Sequence, residues 1–210
     1  MRFGIVCEGS HDFVILSHLV SAALGIDRAN ISPIQPQLDA TLSQVGAGGF
    51  QRVKIWCLQN SGPKFYQNIG QGLFRSSITY DHILVHLDGD VIEKSNWFTP
   101  VQRAQATASV PSRCALVSNW IEQTLAFSGS DELCTAVPTL STDAWVLATI
   151  RPTRCLEHHE VKQRLSRYLR KFFGSNKVHA LDKIMPFCSQ NLHAASVNNL
   201  SIDAFIKGLP

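Results

Sequence analysis

Two apolar runs in the chain stop abruptly at a carboxylate beside a glycine. Ile5-Val6-Cys7 precedes Glu8-Gly9, and Ile83-Leu84-Val85-His86-Leu87 precedes Asp88-Gly89-Asp90. Short, rich in β-branched residues and bounded by turn signals, they read as buried parallel strands over residues 2–7 and 82–87. After the first, Ser10 stands where an N-cap belongs and Asp12 falls in the first helical turn. Phe13, Leu16, Val20, Ala23 and Leu24 follow at helical spacing up to Gly25. Residues 30–38 predict a second strand at an edge, since Pro33 and Pro36 cannot donate to a ladder. Gly46, Gly48 and Gly49 form a loop that reads as a linker or a phosphate cradle. Phe50–Gln59 reads as a helix with Val53, Trp56 and Cys57 inward, and residues 61–79 hold a short helix.

Residues 91–100 read as a loop. Residues 100–127 carry helical signals broken at Pro111-Ser112, with an apolar stripe of Leu116, Trp120, Ile121 and Leu125. Residues 136–140 predict a last strand, and Ser141 opens a capped helix. From Glu160 to Lys177 the pattern is amphipathic: Val161, Leu165, Tyr168 and Phe172 on one face, Arg164, Arg167 and Lys171 on another, Lys162 and Arg170 flanking. The remainder, Leu181–Leu209, reads as two short helices broken at Pro186. The expected class is α/β: a mainly parallel, Rossmann-like sheet flanked by helices over residues 1–150, with a basic helical C-terminal region over 151–210 packed on it.

Composition changes this picture in two places. Residues 1–150 carry 9 Lys/Arg against 12 Asp/Glu, a balance of −3, whereas residues 151–210 carry 10 against 4, a balance of +6. An acidic half joined to a basic one suits a polyanion held at a cation-bearing site. The six cysteines are scattered, with no Cys-x-x-Cys pair, which argues for reduced thiols and against a zinc site or disulfide framework. Glu8 arrives too early for a signal peptide, and no apolar stretch approaches the ~18–20 residues of a membrane span. A soluble, cytoplasmic protein is expected.

In open α/β sheets functional groups collect beyond the carboxyl ends of the strands, so Glu8, Asp88 and Asp90 are expected to meet. Carboxylates that close repel one another unless a cation lies between them, and hard oxygen ligands suit Mg²⁺ or Mn²⁺. Removing one carboxylate from the metal-free protein is therefore expected to leave stability unchanged or raised. Asp12 and Asp143 each read equally well as first-turn helix acids or as further ligands. The cationic face of the 161–177 helix reads either as a solvated surface or as a track for nucleic acid through Arg164, Arg167 and Lys171. His158-His159 has no third ligand at a suitable spacing and reads as a polar turn.

Glu8-Gly9-x-x-Asp12 and Asp88-Gly89-Asp90, at two strand ends about 80 residues apart, resemble the Toprim domain of topoisomerases, primases and OLD-type nucleases. Pro138-Thr139-Leu140-Ser141-Thr142-Asp143-Ala144-Trp145-Val146-Leu147-Ala148 resembles a segment of small standalone Toprim-like proteins related to the OLD nucleases, which usually have Glu where this chain has Asp143. The resemblance covers roughly residues 2–150. It implies a metal-dependent nuclease acting on DNA or RNA, with Glu8 as general base or ligand and Asp88 and Asp90 holding one or two divalent ions. It also implies a phage-defence effector working with an ATPase partner. The alternative is a non-catalytic Toprim-like binding or regulatory subunit. The aspartate pair of haloacid-dehalogenase phosphatases and the Asp-x-Asp of glycosyltransferases fit less well, the first because the pair follows a middle strand.

Overall fold

A computed structural model describes residues 1–39, 41–68, 79–127, 131–155, 161–174 and 176–210. Strands β1 (Phe3–Val6), β2 (Ile31–Gln35), β3 (His82–His86) and β4 (Leu133–Ala136) form one sheet in the order β2-β1-β3-β4. Every pairing is parallel. The helices are α1 (Ser10–Leu24), α2 (Phe50–Gln59), α3 (Pro63–Asn68), α4 (Val91–Lys94), α5 (Pro100–Thr107), α6 (Val110–Leu125), α7 (Thr142–Ile150), α8 (Val161–Phe173), α9 (Lys177–Gln190), α10 (Leu192–Ser196) and α11 (Leu200–Lys207). This is the α/β, Rossmann-like arrangement that the alternation of elements predicts.

Strand residues alternate between two apolar layers, as a pleat of period two requires. Phe3, Ile5, Leu84, Cys134 and Ala136 face the layer with α1 and α7 to α11. Val6, Ile83, Val85 and Leu133 face the layer with α2 to α6. The helices beyond residue 150 thus share a core with the sheet: Leu165, Leu181, Met185 and Phe205 pack with Phe3, Leu16 and Trp145. Trp145 ties α7 to α11, its indole N–H donating to Ser201 Oγ at 2.9 Å and its ring lying 4.9 Å from that of Phe205. Such an aromatic pair adds about 0.5–1.5 kcal/mol beyond the area it buries.

Several elements differ from the sequence expectation. The last strand spans Leu133–Ala136, so residues 137–140 are the loop beyond it. Gly9, not Ser10, caps α1, and residues 91–94 form a short helix inside the expected loop. Pro111 opens α6 rather than merely breaking a helix, because a first-turn proline forfeits no intrahelical bond. The basic helix ends at Phe173, before Gly174 at a φ of 87°, and Leu169 takes the buried position expected of Phe172, which is exposed. Pro186 lies inside α9 with its ring outward, while Leu181, Ile184, Met185 and Cys188 continue one buried stripe past it. Of the cysteines, five are buried and Cys155 is exposed. Residues 69–78, at the end of the expected 61–79 segment, and His158-His159 lie outside the described residues.

The order of the strands locates a site. From β1 the chain winds outward to β2, and from β3 it winds the other way to β4, so the topology reverses between β1 and β3. Ligand crevices of open α/β sheets form at such a point, beyond the carboxyl ends of the strands. Val6 pairs with Val85, so the chain leaves the sheet toward Glu8 and toward Asp88 side by side.

Candidate metal centre

Two glycines allow this crevice to close tightly. A Cβ on Gly48 would stand 2.5 Å from the Glu8 carbonyl oxygen, and the neighbouring Gly49 N–H donates to that oxygen at 2.6 Å. The glycine loop therefore clamps the turn after β1. A Cβ on Gly89 would lie 2.2 Å from the Thr139 carbonyl oxygen, so only glycine lets the turn after β3 lie against the 137–140 loop. Arg113, buried on α6, donates to the Gly89 carbonyl at 3.0 Å and forms a two-pronged pair with Glu93.

Within this frame Asp12, His86 and Asp88 each present a ligand atom within 4.8 Å of the others. Thr142, the first residue of α7, joins two of them: its N–H donates to Asp88 Oδ1 at 3.1 Å and its hydroxyl to Asp12 Oδ1 at 2.6 Å. Glu8 Oε1 accepts the Asp88 N–H at 2.8 Å. Glu8 and Asp12 thus both lie beside Asp88, Glu8 through the Asp88 backbone and Asp12 through Thr142. Asp90 turns aside, its Oδ2 paired with Lys94 and lying 3.5 Å from Lys162 Nζ, which is also 3.5 Å from Asp88 Oδ2. Asp143 presents both carboxylate oxygens to Lys177 Nζ at 3.0 Å.

Three residues escape a search for carboxylates alone. His86 is the last residue of β3, two positions before Asp88 in the turn beyond it, a spacing that period-two alternation contains. Lys162 and Lys177 come from helices far along the chain, and no local spacing signals their arrival. His86 is fully buried, and neither ring nitrogen makes a hydrogen bond; its Nε2 lies 3.4 Å from Asp88 Oδ1, an ion-pair contact without hydrogen-bond geometry. Its Nδ1 has no hydrogen-bond partner among the described residues, and a buried polar atom left so is costly.

The titrations follow from this geometry. Burial, reinforced by the charge of Asp88, raises the Glu8 carboxyl to about 7. Burial likewise raises Asp12, against the opposing pull of His86 and the Thr142 hydrogen bond. Burial alone would raise Asp88, but His86, Lys162 and the Thr142 N–H outweigh it and hold this carboxyl below its usual range. Burial alone would lower His86, but Asp88, Asp12 and Glu8 outweigh it and raise the imidazole to about 9. Burial and the negative charges nearby push the Cys7 thiol far up, so it is no nucleophile. Removing a carboxylate thus has opposite consequences at different positions: Asp88 is ionised with the help of the fold, and Glu8 against it.

The donor set can hold a divalent cation. Two carboxylates and an imidazole converge, with Glu8 attached through the Asp88 backbone; only neutral imidazole ligates, so a cation here takes the place of the proton that Asp88, Asp12 and Glu8 hold on His86. The carboxylate oxygens are donors that suit Mg²⁺ and Mn²⁺ alike, and the imidazole is the softer donor of the set.

The contact with Lys177 supplies a test for Asp143. Asp143→Asn is expected to lower Tm by about 2–8 °C, from about 1–2 kcal/mol for a partly exposed ion pair, and to leave Mn²⁺ affinity within about threefold. Thermal melting and titration calorimetry measure both, and a loss of affinity beyond about tenfold would put Asp143 in the coordination sphere.

No protein family matches the chain, and searches of curated proteins and of solved structures find no significant match.

Proposed function

We propose that the chain is a Toprim-like, divalent-metal-dependent nuclease that hydrolyses phosphodiester bonds of DNA or RNA. The observation that carries this reading is the convergence of Asp12, His86 and Asp88, with Glu8 beside them, at the point where the strand order reverses. The Glu-Gly turn after β1 and the Asp-x-Asp after β3 support the Toprim-like reading. So does the basic character of residues 151–210, which complements a polyanionic substrate.

Asp12, Asp88 and His86 would hold Mn²⁺ or Mg²⁺, with Glu8 alongside. A cation held there would polarise the phosphodiester, lower the pKa of water and stabilise the leaving oxygen. The protein's own groups supply the rest. Thr142 fixes the orientation of Asp12 and Asp88 through two hydrogen bonds. Glu8 has a carboxyl at about 7, and its Oε1 is engaged by the Asp88 N–H, so Oε2 is the oxygen that takes a proton from water near neutral pH. Lys162, held protonated by Asp88 and Asp90 against its own burial, offsets negative charge at the phosphate.

Incubating the purified chain with labelled DNA and RNA in Mn²⁺, in Mg²⁺ and in EDTA tests the proposal. Cleavage is expected in Mn²⁺ or Mg²⁺ and not in EDTA. No cleavage of either polymer with any cation overturns it. A second reading, a binding or regulatory subunit without catalysis, is favoured by one observation: Lys162 Nζ lies between Asp88 and Asp90, where it serves as a built-in cation. On that reading calorimetry detects no tight Mn²⁺ binding. The ATPase partner and the role in phage defence rest on the Toprim resemblance alone. A pull-down with a candidate ATPase would test the first.

A further inference from the structure

We propose that a cleft between α7 and α8 binds an unpaired base and its flanking phosphates, so that the polymer recognised is single-stranded nucleic acid. This rests on the reading of the chain as one that acts on nucleic acid. The cleft has a volume of about 450 Å³, within the range of pockets that enclose ligands. Arg151 and Arg154, just beyond α7, and Arg164, Arg167 and Lys171 on α8 all border it. No carboxylate lines it among the described residues. Arg151, Arg154, Arg167 and Lys171 set four positive charges around one concavity, and the forked guanidinium groups of the three arginines suit phosphate oxygens.

Charge alone does not distinguish a single strand from a duplex; the apolar surface does. Leu147 and Ile150 border the cleft from α7, and Tyr168 and Phe172 border it from α8. Arg164, Tyr168 and Lys171 recur at positions i, i+4 and i+7, so helical geometry puts cations and rings on one face while Val161, Leu165 and Leu169 fill the core. Phe172 is 58% exposed, its centroid lies 4.8 Å from that of Tyr168, and Lys171 Nζ stands 5.3 Å from it. An exposed ring among cations offers a flat face to a base and a charge to its phosphate. Bases within a duplex have both faces covered by their neighbours, whereas an unpaired base can stack.

The position suits the metal centre. Thr142, which holds Asp12 and Asp88, and Ile150, which borders the cleft, are eight residues apart on α7, about 12 Å along the helix axis. Lys162, which faces Asp88 and Asp90, and the cationic face of the cleft belong to the same helix. A short run of nucleotides leaving the cleft can reach the carboxylates.

Fluorescence anisotropy in EDTA, with the full chain, tests the cleft without any chemistry. The probes are a short labelled oligothymidylate, a duplex of equal length, and thymidine monophosphate as competitor. The oligothymidylate is expected to bind at least about 10-fold tighter than the duplex or the mononucleotide. Phe172→Ala is expected to weaken it about 10-fold with an unchanged log-salt slope, and Arg151→Ala with Arg154→Ala to reduce that slope by about 1.4. All three positions are exposed, so melting temperatures close to the parent's are expected. Duplex binding as tight as single-strand binding, a mononucleotide as tight as the strand, or unaltered affinity and slope in the variants each overturn the proposal. Metal-dependent cleavage without these binding effects removes the cleft and leaves the nuclease. Strand binding with them, but no cleavage in any cation, leaves the cleft and removes the nuclease.

Discussion

Asp88→Asn is expected to reduce metal-dependent cleavage at least about 1000-fold and, in EDTA at pH 7, to lower Tm by about 4–8 °C. The loss of activity follows from the place of Asp88 among the converging ligand atoms and from the dependence of phosphodiester chemistry on the cation. The loss of stability has a separate origin. Repulsion among carboxylates would make any such substitution neutral or stabilising, but Asp88 faces His86, Lys162 and the Thr142 N–H. These hold its carboxyl below the usual range, so its contribution is present above the unfolded pKa and is lost as pH falls through the folded one. Asparagine forfeits that contribution at neutral pH and leaves a buried imidazole without its counter-charge. Breaking a fully buried pair costs about 3–5 kcal/mol, and the half-exposed Lys162 reduces the figure here to about 2 kcal/mol. Melting curves in EDTA beside cleavage assays in Mn²⁺ measure the two effects. A variant that melts higher than the parent at pH 7 would contradict the charge assignment.

Glu8→Gln is expected to behave in the opposite way toward stability. The Glu8 carboxyl rises from 4.5 to about 7 on folding, so the native state holds its proton more firmly than the unfolded chain. The associated stability is fully present below about 4.5 and disappears as pH rises through 7. Glutamine keeps the acceptor for the Asp88 N–H and never ionises. At pH 8 it should therefore be more stable than the parent by about 3 kcal/mol, a rise in Tm of about 6–12 °C, and at pH 4 the two should coincide. Mn²⁺ at about 100 times its Kd should restore roughly 2.7 kcal/mol to the parent and narrow the gap. A difference in Tm that stays constant from pH 4 to pH 8 would show that Glu8 is not titrating in this window. Cleavage should fall in the same variant, because glutamine cannot accept the proton from water.

The central strands and the carboxylates beyond them were legible because each signal is local: a β-branched run, then an acid and a glycine. The position of β4 was not. Leu133-Cys134-Thr135-Ala136 is only four residues long and follows two acids, while Ala136-Val137-Pro138-Thr139-Leu140 runs straight into the helix start at Ser141 and so reads as the strand before it, although residues 137–140 form the loop against Gly89. Pro186 misleads for a related reason. Propensity predicts a helix end, but Leu181, Ile184, Met185 and Cys188 bury one continuous stripe, and that packing outweighs the missing donor. His86 was hidden by its surroundings, because a histidine inside an apolar strand reads as core. The partners of Asp90 and Asp143 were hidden by distance: Lys162 and Lys177 approach only once α8 and α9 have docked. Sequence shows which groups need a counter-charge more readily than it shows where the counter-charge comes from.

The packing of α1 against α9 has a consequence for how the chain is made. Phe13 through Val20 are all buried in the finished fold, and α9 supplies much of their cover. α1 leaves the ribosome before α9, and the segment that covers it follows about 150 residues later. At about 5–20 residues per second that interval lasts roughly 8–30 s. β1 also waits, since its partner β3 lies about 80 residues downstream. Until α9 and β3 emerge, the nascent chain therefore exposes the apolar stretch Phe13 through Val20 and an unpaired central strand, and a chaperone that shields residues 3–24 should raise the yield of folded protein more than one acting after α9 has been made.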